Sequence, residues 1–136
     1  MNRRKLLTTA AAAAPLMAAD KPLPKLPNIT RDPSKAKKLP DPSGELLIFF
    51  EGPTDQLKLM VAGSLNLAAG KSPHPPHKHE EEEFMLVTTG AGWIEIDGKR
   101  QDVGPGSMMY CQANKLHAIM NTSQTPMLFY FYKWKA

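Results

Sequence analysis

The chain has 136 residues and a formal charge of +4, enough for one domain with a modest core and too little for two. The positive charge suggests a nucleic-acid partner until it is divided along the chain. Residues 1–40 hold nine basic residues against two acids, whereas residues 41–136 hold eight against eleven, a net −3. A mildly acidic domain with a basic leader and linker argues against nucleic-acid binding.

The N-terminus reads as an address. Met1-Asn2-Arg3-Arg4-Lys5 is a charged head, and Leu6 to Met17 is an alanine-rich apolar stretch too short to span a bilayer. Ala18 and Ala19 then precede Asp20, a plausible cleavage point. The paired arginines and soft apolar core resemble a twin-arginine export signal covering residues 1–19. Export to the periplasm or the extracellular space follows as an expectation. No cysteine stands near the cleavage point, so no lipid anchor or other stable membrane attachment is expected. The alternative, an amphipathic first helix, lacks a polar face of helical period.

Residues 20–44 carry six prolines among lysines, which disfavours helix or central strand and predicts an extended arm or linker. From Glu45 to Ala136, short apolar runs alternate with turn residues. Strands are predicted at Leu46 to Phe50, at Leu57 to Leu67 with a possible bend at Gly63, and at Phe84 to Thr89. Trp93 to Ile96 and Lys99 to Val103 follow, joined by Asp97-Gly98, a strong two-residue hairpin signal. Ser107 to Cys111, His117 to Asn121 and Met127 to Trp134 complete about eight strands. The class is all-β, an antiparallel sandwich or barrel. Leu46 to Phe50 and Met127 to Tyr132 are apolar on both faces. They need cover from the opposite sheet and from either the arm or a second subunit, and a homodimer is the expectation. Cys111, the single cysteine, reads as a small apolar strand residue.

The chemistry-bearing stretch is His74-Pro75-Pro76-His77-Lys78-His79, followed by Glu80 to Glu83. In extended chain, residues two apart point to one side, so His77 and His79 can aim at one point, with Glu83 of the same parity. Histidine with carboxylate suits a first-row divalent metal, although a lone His-x-His is weak, and a solvated polar loop explains the glutamate run as well.

Taken with the chain further on, these residues resemble the cupin superfamily, over roughly residues 46–134. The first cupin motif, glycine, spacer, His-x-His, Glu, six residues, glycine, reads here as Gly70, His77-Lys78-His79, Glu83, Gly90. The second, glycine, Pro-x-Gly, His, three residues, Asn, reads as Gly98, His117, Asn121. The spacer after Gly70 is one residue longer than usual, and Gln112-Ala113-Asn114 stands in place of Pro-x-Gly. Asn114 can adopt the left-handed conformation that glycine supplies there.

The resemblance implies a double-stranded β-helix, or jelly-roll, barrel. It also implies one divalent metal, Mn, Zn, Fe or Ni undistinguished, held by His77, His79, Glu83 and His117. The gap to Gly90 favours Glu83. Glu80, Glu81 and Glu82 read as solvated, with Glu82 the fallback ligand. One or two positions on a six-coordinate ion would stay open for water, dioxygen or a bidentate substrate. An oxidising compartment tilts the choice toward Mn or Zn. Met85, Met108, Met109 and Met120 read as core filler; Trp93 and Tyr110 read as pocket rim or core. Apart from Arg100, the cations near the motifs are Lys78 and Lys115, and His74, Lys78, Lys115 and Tyr110 are the acid–base candidates. Two readings follow: a metal-dependent enzyme acting on a small organic molecule by dioxygenase- or isomerase-type chemistry, or a metal-dependent module that binds a sugar or carboxylate without turnover.

Overall fold

A computed structural model describes residues 21–136; the predicted leader lies outside the described residues. Nine strands run β1 (Lys37–Leu39), β2 (Gly44–Gly52), β3 (Leu59–Leu67), β4 (Glu82–Thr89), β5 (Gly92–Ile96), β6 (Lys99–Val103), β7 (Met108–Cys111), β8 (His117–Asn121) and β9 (Met127–Lys135). They form a six-stranded sheet in the order β1-β2-β3-β9-β4-β7 and a three-stranded sheet in the order β6-β5-β8. Every strand pair is antiparallel. No described helix is long and apolar enough to cross a membrane.

Period-two alternation decides which side chains fill the core. On β9, Met127, Phe129 and Phe131 point inward and are buried, while Leu128, Tyr130 and Tyr132 are half-buried on the other face. Val61, Leu65 and Leu67 from β3, Met85 and Val87 from β4, and Ile94 and Ile119 from the small sheet join them in one cluster between the sheets. Each such side chain taken from water contributes roughly 1.5–3 kcal/mol.

Asp97 and Gly98 have φ of 49° and 79°, the two left-handed residues of a type I′ hairpin turn, so β5 and β6 pair in tight register from Ile96↔Lys99 onward. The bend expected at Gly63 is not there. Gly63 pairs regularly with Ile48 and Phe131, and the register shift falls on the partner strand between Ile48 and Phe50. Gly63 is needed for space: a Cβ there would stand 2.5 Å from the Phe131 ring and 2.6 Å from the Leu47 carbonyl oxygen.

Part of the proline-rich segment is tied to the barrel. Leu26 N donates to Pro53 O at 2.8 Å, Arg31 Nη1 donates to Phe49 O at 2.8 Å, and Lys37–Leu39 adds an edge strand to β2. Prolines flank that strand without interrupting it, which matches their confinement to edges.

Candidate metal centre

Backbone hydrogen bonds bring the histidines of the candidate site into place. His77 lies in the β3–β4 connection and exchanges two hydrogen bonds with His117 at the start of β8, at 3.1 and 2.9 Å. Asn114 N donates to His79 O at 2.8 Å, and Asn114 has a φ of 61°, so the asparagine takes the left-handed conformation expected of it. At the far end of β8, Asn121 is fully buried. Its Nδ2 donates to Leu67 O, Ala68 O and Thr125 O at 3.0, 3.2 and 2.8 Å. That side chain ties the end of β3 to the β8–β9 turn and stands apart from the chemistry.

The imidazoles of His77, His79 and His117 converge, each offering one nitrogen within 4.8 Å of the others. The rings pack edge to face, at centroid distances of 5.2, 4.8 and 4.9 Å. His79 Nδ1 donates to Glu81 O at 3.0 Å, and His117 Nδ1 donates to Lys115 O at 2.9 Å. Those bonds assign the tautomer and leave both Nε2 atoms as lone-pair donors. Both face Glu83 Oε1, from 2.9 and 3.1 Å. Two lone pairs and a carboxylate cannot share that space without a proton or a cation between them. The separations suit a cation: donors around a six-coordinate ion with bonds of about 2.1 Å stand about 3.0 Å apart. The donor set therefore fits a divalent ion.

The electrostatics agree. Without a cation a shared proton fills that space: burial works against the Glu83 carboxylate, but hydrogen bonds to it from His117 and His79 outweigh it and bring its pKa down to about 2. Burial and the neighbouring rings of His74, His117 and His79 bring His77 down to about 3, which keeps it neutral and available as a donor. Burial opposes the charged form of His117, yet the bond and charge of Glu83 raise it overall.

The glutamate run is sorted by parity. Glu80 is solvated and paired with Lys135 at 2.8 Å, as expected. Glu81 is not solvated: it is 4% exposed, with Oε1 3.3 Å from His79 Nδ1. Glu82, the fallback ligand, points to the outer face of the large sheet, where it accepts from the Tyr110 hydroxyl and from Trp134 Nε1 at 3.0 Å. The parity that places Glu83 inward places Glu81 inward and Glu82 outward.

A cavity opens from the site into the space between the sheets. Its walls are Leu46, Leu65, Met85, Ile119, Phe129 and Phe131, with His74, His77, Glu83 and Lys133 as polar groups and Asp41 and Pro73 completing the lining. His74, outside the motifs, stacks on His77 at 3.5 Å between ring centroids. Tyr110 and Met108 are exposed on the outer sheet face, and Trp93 sits under the Arg100 guanidinium at 3.7 Å, so none of these lines the cavity. Lys78 and Lys115 are solvent-exposed. The cation at the cavity is Lys133, which sequence reasoning passed over although it shares the parity of Phe129 and Phe131. Cys111 is buried, with Sγ 3.6 Å from His117 Nδ1, and burial pushes its thiol up, away from the reactive thiolate.

Two antiparallel sheets enclosing a histidine cluster at the mouth of an apolar cavity define a small β-barrel with a candidate metal site. A cupin-domain profile matches residues 63–132, and the chain belongs to that family. Solved structures share the fold at low identity. KdgF from Halomonas sp. is 16% identical with a TM-score of 0.62, over 76% of this chain and 90% of that one. A predicted oxalate decarboxylase from Thermotoga maritima is 19% identical with a TM-score of 0.62, over 79% and 100%. The Cnp3 cupin domain of Schizosaccharomyces pombe is 9% identical with a TM-score of 0.67, over 79% and 74%.

Proposed function

We propose that this chain is an exported, homodimeric, metal-dependent enzyme acting on a small organic molecule. His77, His79, Glu83 and His117 hold one divalent ion, Mn, Zn, Fe or Ni. The observation that carries the reading is the meeting of three imidazoles and a buried carboxylate at the mouth of an apolar-walled cavity. Such a cavity takes up a ligand beside the metal, which a purely structural ion would not need. A bound ion would supply Lewis acidity or a seat for dioxygen. The protein supplies orientation: the Lys115 and Glu81 carbonyls fix the His117 and His79 rings, and the buried Glu81 carboxylate braces His79. Phe129, Phe131 and Ile119 keep the inner cavity poor in water, and His74, stacked on His77, is the group placed to move a proton at the rim.

Elemental analysis of natively loaded protein tests the site. About one divalent ion per chain is expected, with His77→Ala or His117→Ala losing most of it. Glu81→Ala should weaken metal affinity roughly 10- to 100-fold, the usual cost of a lost outer partner, and Glu80→Ala should leave it unchanged. Metal-free protein should melt lower, because an ion bound only by the folded state stabilises it. A chain that carries no metal, and whose melting is indifferent to Mn, Zn, Ni and Fe, overturns the reading. Catalysis is tested by oxygen uptake or product formation over enediols, catechols and keto acids with Fe- or Mn-loaded protein. Saturable binding without turnover under every metal would make it a binding module. Export is tested by N-terminal sequencing: a mature chain starting near Asp20 is expected, and an intact Met1 on the mature protein rules it out.

A further inference from the structure

Lys133 is a long cationic side chain on the inward face of β9, only 6% exposed. Its partner across β4 is Glu83, but Glu83 Oε1 is taken up by His79 and His117. Among the described residues the Lys133 ammonium makes no hydrogen bond and no ion pair. Nζ lies 5.8 Å from the centroid of the Phe131 ring, a cation–π contact at the edge of its useful range. The ammonium lines the cavity that also reaches His77 and Glu83, and no side-chain hydrogen bond closes on it there. A negative group entering the cavity would supply the missing partner. The inner walls are aliphatic and aromatic, Asp41, His74, His77 and Glu83 are the other polar lining groups, and Lys133 is the single lysine with no arginine beside it, so the ligand carries one charge and an apolar body rather than several phosphates or a hydroxyl-rich surface.

We propose that the cavity takes a small organic monocarboxylate, its carboxylate held by Lys133 and its hydrocarbon part packed against Phe129, Phe131 and Ile119. The inference names the substrate class of the site proposed above and rests on that reading, with Lys133 as a binding residue.

Isovalerate and the neutral, nearly isosteric isovaleramide test it, titrated calorimetrically into the zinc-loaded full chain. Isovalerate is expected to bind at least roughly tenfold more tightly than the amide, the size of a charge-assisted hydrogen bond. Lys133→Met should abolish the preference while leaving amide binding within twofold. Lys133→Gln, which keeps a donor but no charge, should fall between them. Both variants should keep the zinc content of the parent and melt no lower than it, because neither substitution changes side-chain volume much. Equal binding of acid and amide by the parent overturns the proposal, as does a preference that survives Lys133→Met. Inorganic phosphate binding through Lys133 in place of isovalerate overturns the organic class. Zinc measured on the same samples separates the two readings. A zinc-free chain that still prefers isovalerate through Lys133 removes the metal and keeps this inference; a zinc-loaded chain without preference does the reverse.

Discussion

At the scale of single residues, the site is a set of rings and carboxylates whose protonation the barrel has shifted, and acid should expose this. His77 has an ordinary value of 6.5 and about 3 in the fold, so between those values the unfolded chain binds the proton and the folded chain does not. Its share of stability is whole above pH 6.5 and drains away as pH falls toward 3. His74 is shifted the same way by burial. Glu83 adds a second limb: its carboxylate is lowered from 4.5 to about 2, so its contribution is full above 4.5 and is lost as pH falls toward 2. His117 is raised and has the opposite sign, its contribution complete below 6.5 and lost at higher pH. Melting of the metal-free chain should therefore drop on acidification from pH 6.5. In His77→Gln the slope between 6.5 and 4.5 should be visibly shallower. Parallel slopes for the two proteins would show that His77 is not buried as a neutral ring.

At the scale of elements, hairpin and strand positions were legible because local chemistry dictates them. Asp97-Gly98 has one good solution, and the apolar runs at Phe84 to Thr89 and Met127 to Trp134 have no helical period. Three features were not legible, each for a physical reason. Lys37–Leu39 is polar and set between prolines, and forms a strand only because the β2 edge is there to pair with. Glu81 was counted with a solvated run because its charge suggested solvent, while parity pointed inward. Lys133 was hidden by the apolar length of β9, although residues 127, 129, 131 and 133 share one face. The bend assigned to Gly63 failed because a strand glycine has two meanings, backbone freedom or close approach, and only the packed partner decides. Here it is close approach, and the Leu47 carbonyl is backbone that cannot swing aside. Gly63→Ala should cost roughly 1–3 kcal/mol, the range for overpacking a core, with a lower urea midpoint and an unchanged m-value. An unchanged midpoint would mean that β3 slides freely against β9.

At the scale of the whole molecule, the outer face of the large sheet is the surface that the barrel does not cover. Phe49 meets Tyr130, Phe84 meets Tyr132 and Tyr110 meets Trp134 at ring-centroid distances of 6.2, 5.7 and 6.5 Å. Leu86 and Met108 continue the same row across β4 and β7. The proline-rich segment follows the β2 edge, bonded to Pro53 and Phe49, and leaves Met108 and Tyr110 exposed at 68% and 52%. Four long strands and the short β1 and β7, with a rise of about 3.4 Å per residue and a spacing of about 4.8 Å, give a face on the order of 700 Å². That is close to the roughly 800 Å² per partner of a stable interface, and far more apolar than a solvated sheet face should be. We propose that this face meets a second copy of the chain, with aromatic side chains at the centre and Glu82 kept satisfied by Tyr110 and Trp134. Sedimentation should therefore give twice the monomer mass. Tyr130→Asp, which puts a charge in the middle of the aromatic row, should sediment as a monomer while holding its metal, because Tyr130 and the histidine cluster lie on opposite faces of the sheet. A parent protein that sediments as a monomer at micromolar concentration would rule the dimer out. A Tyr130→Asp dimer would move the interface elsewhere.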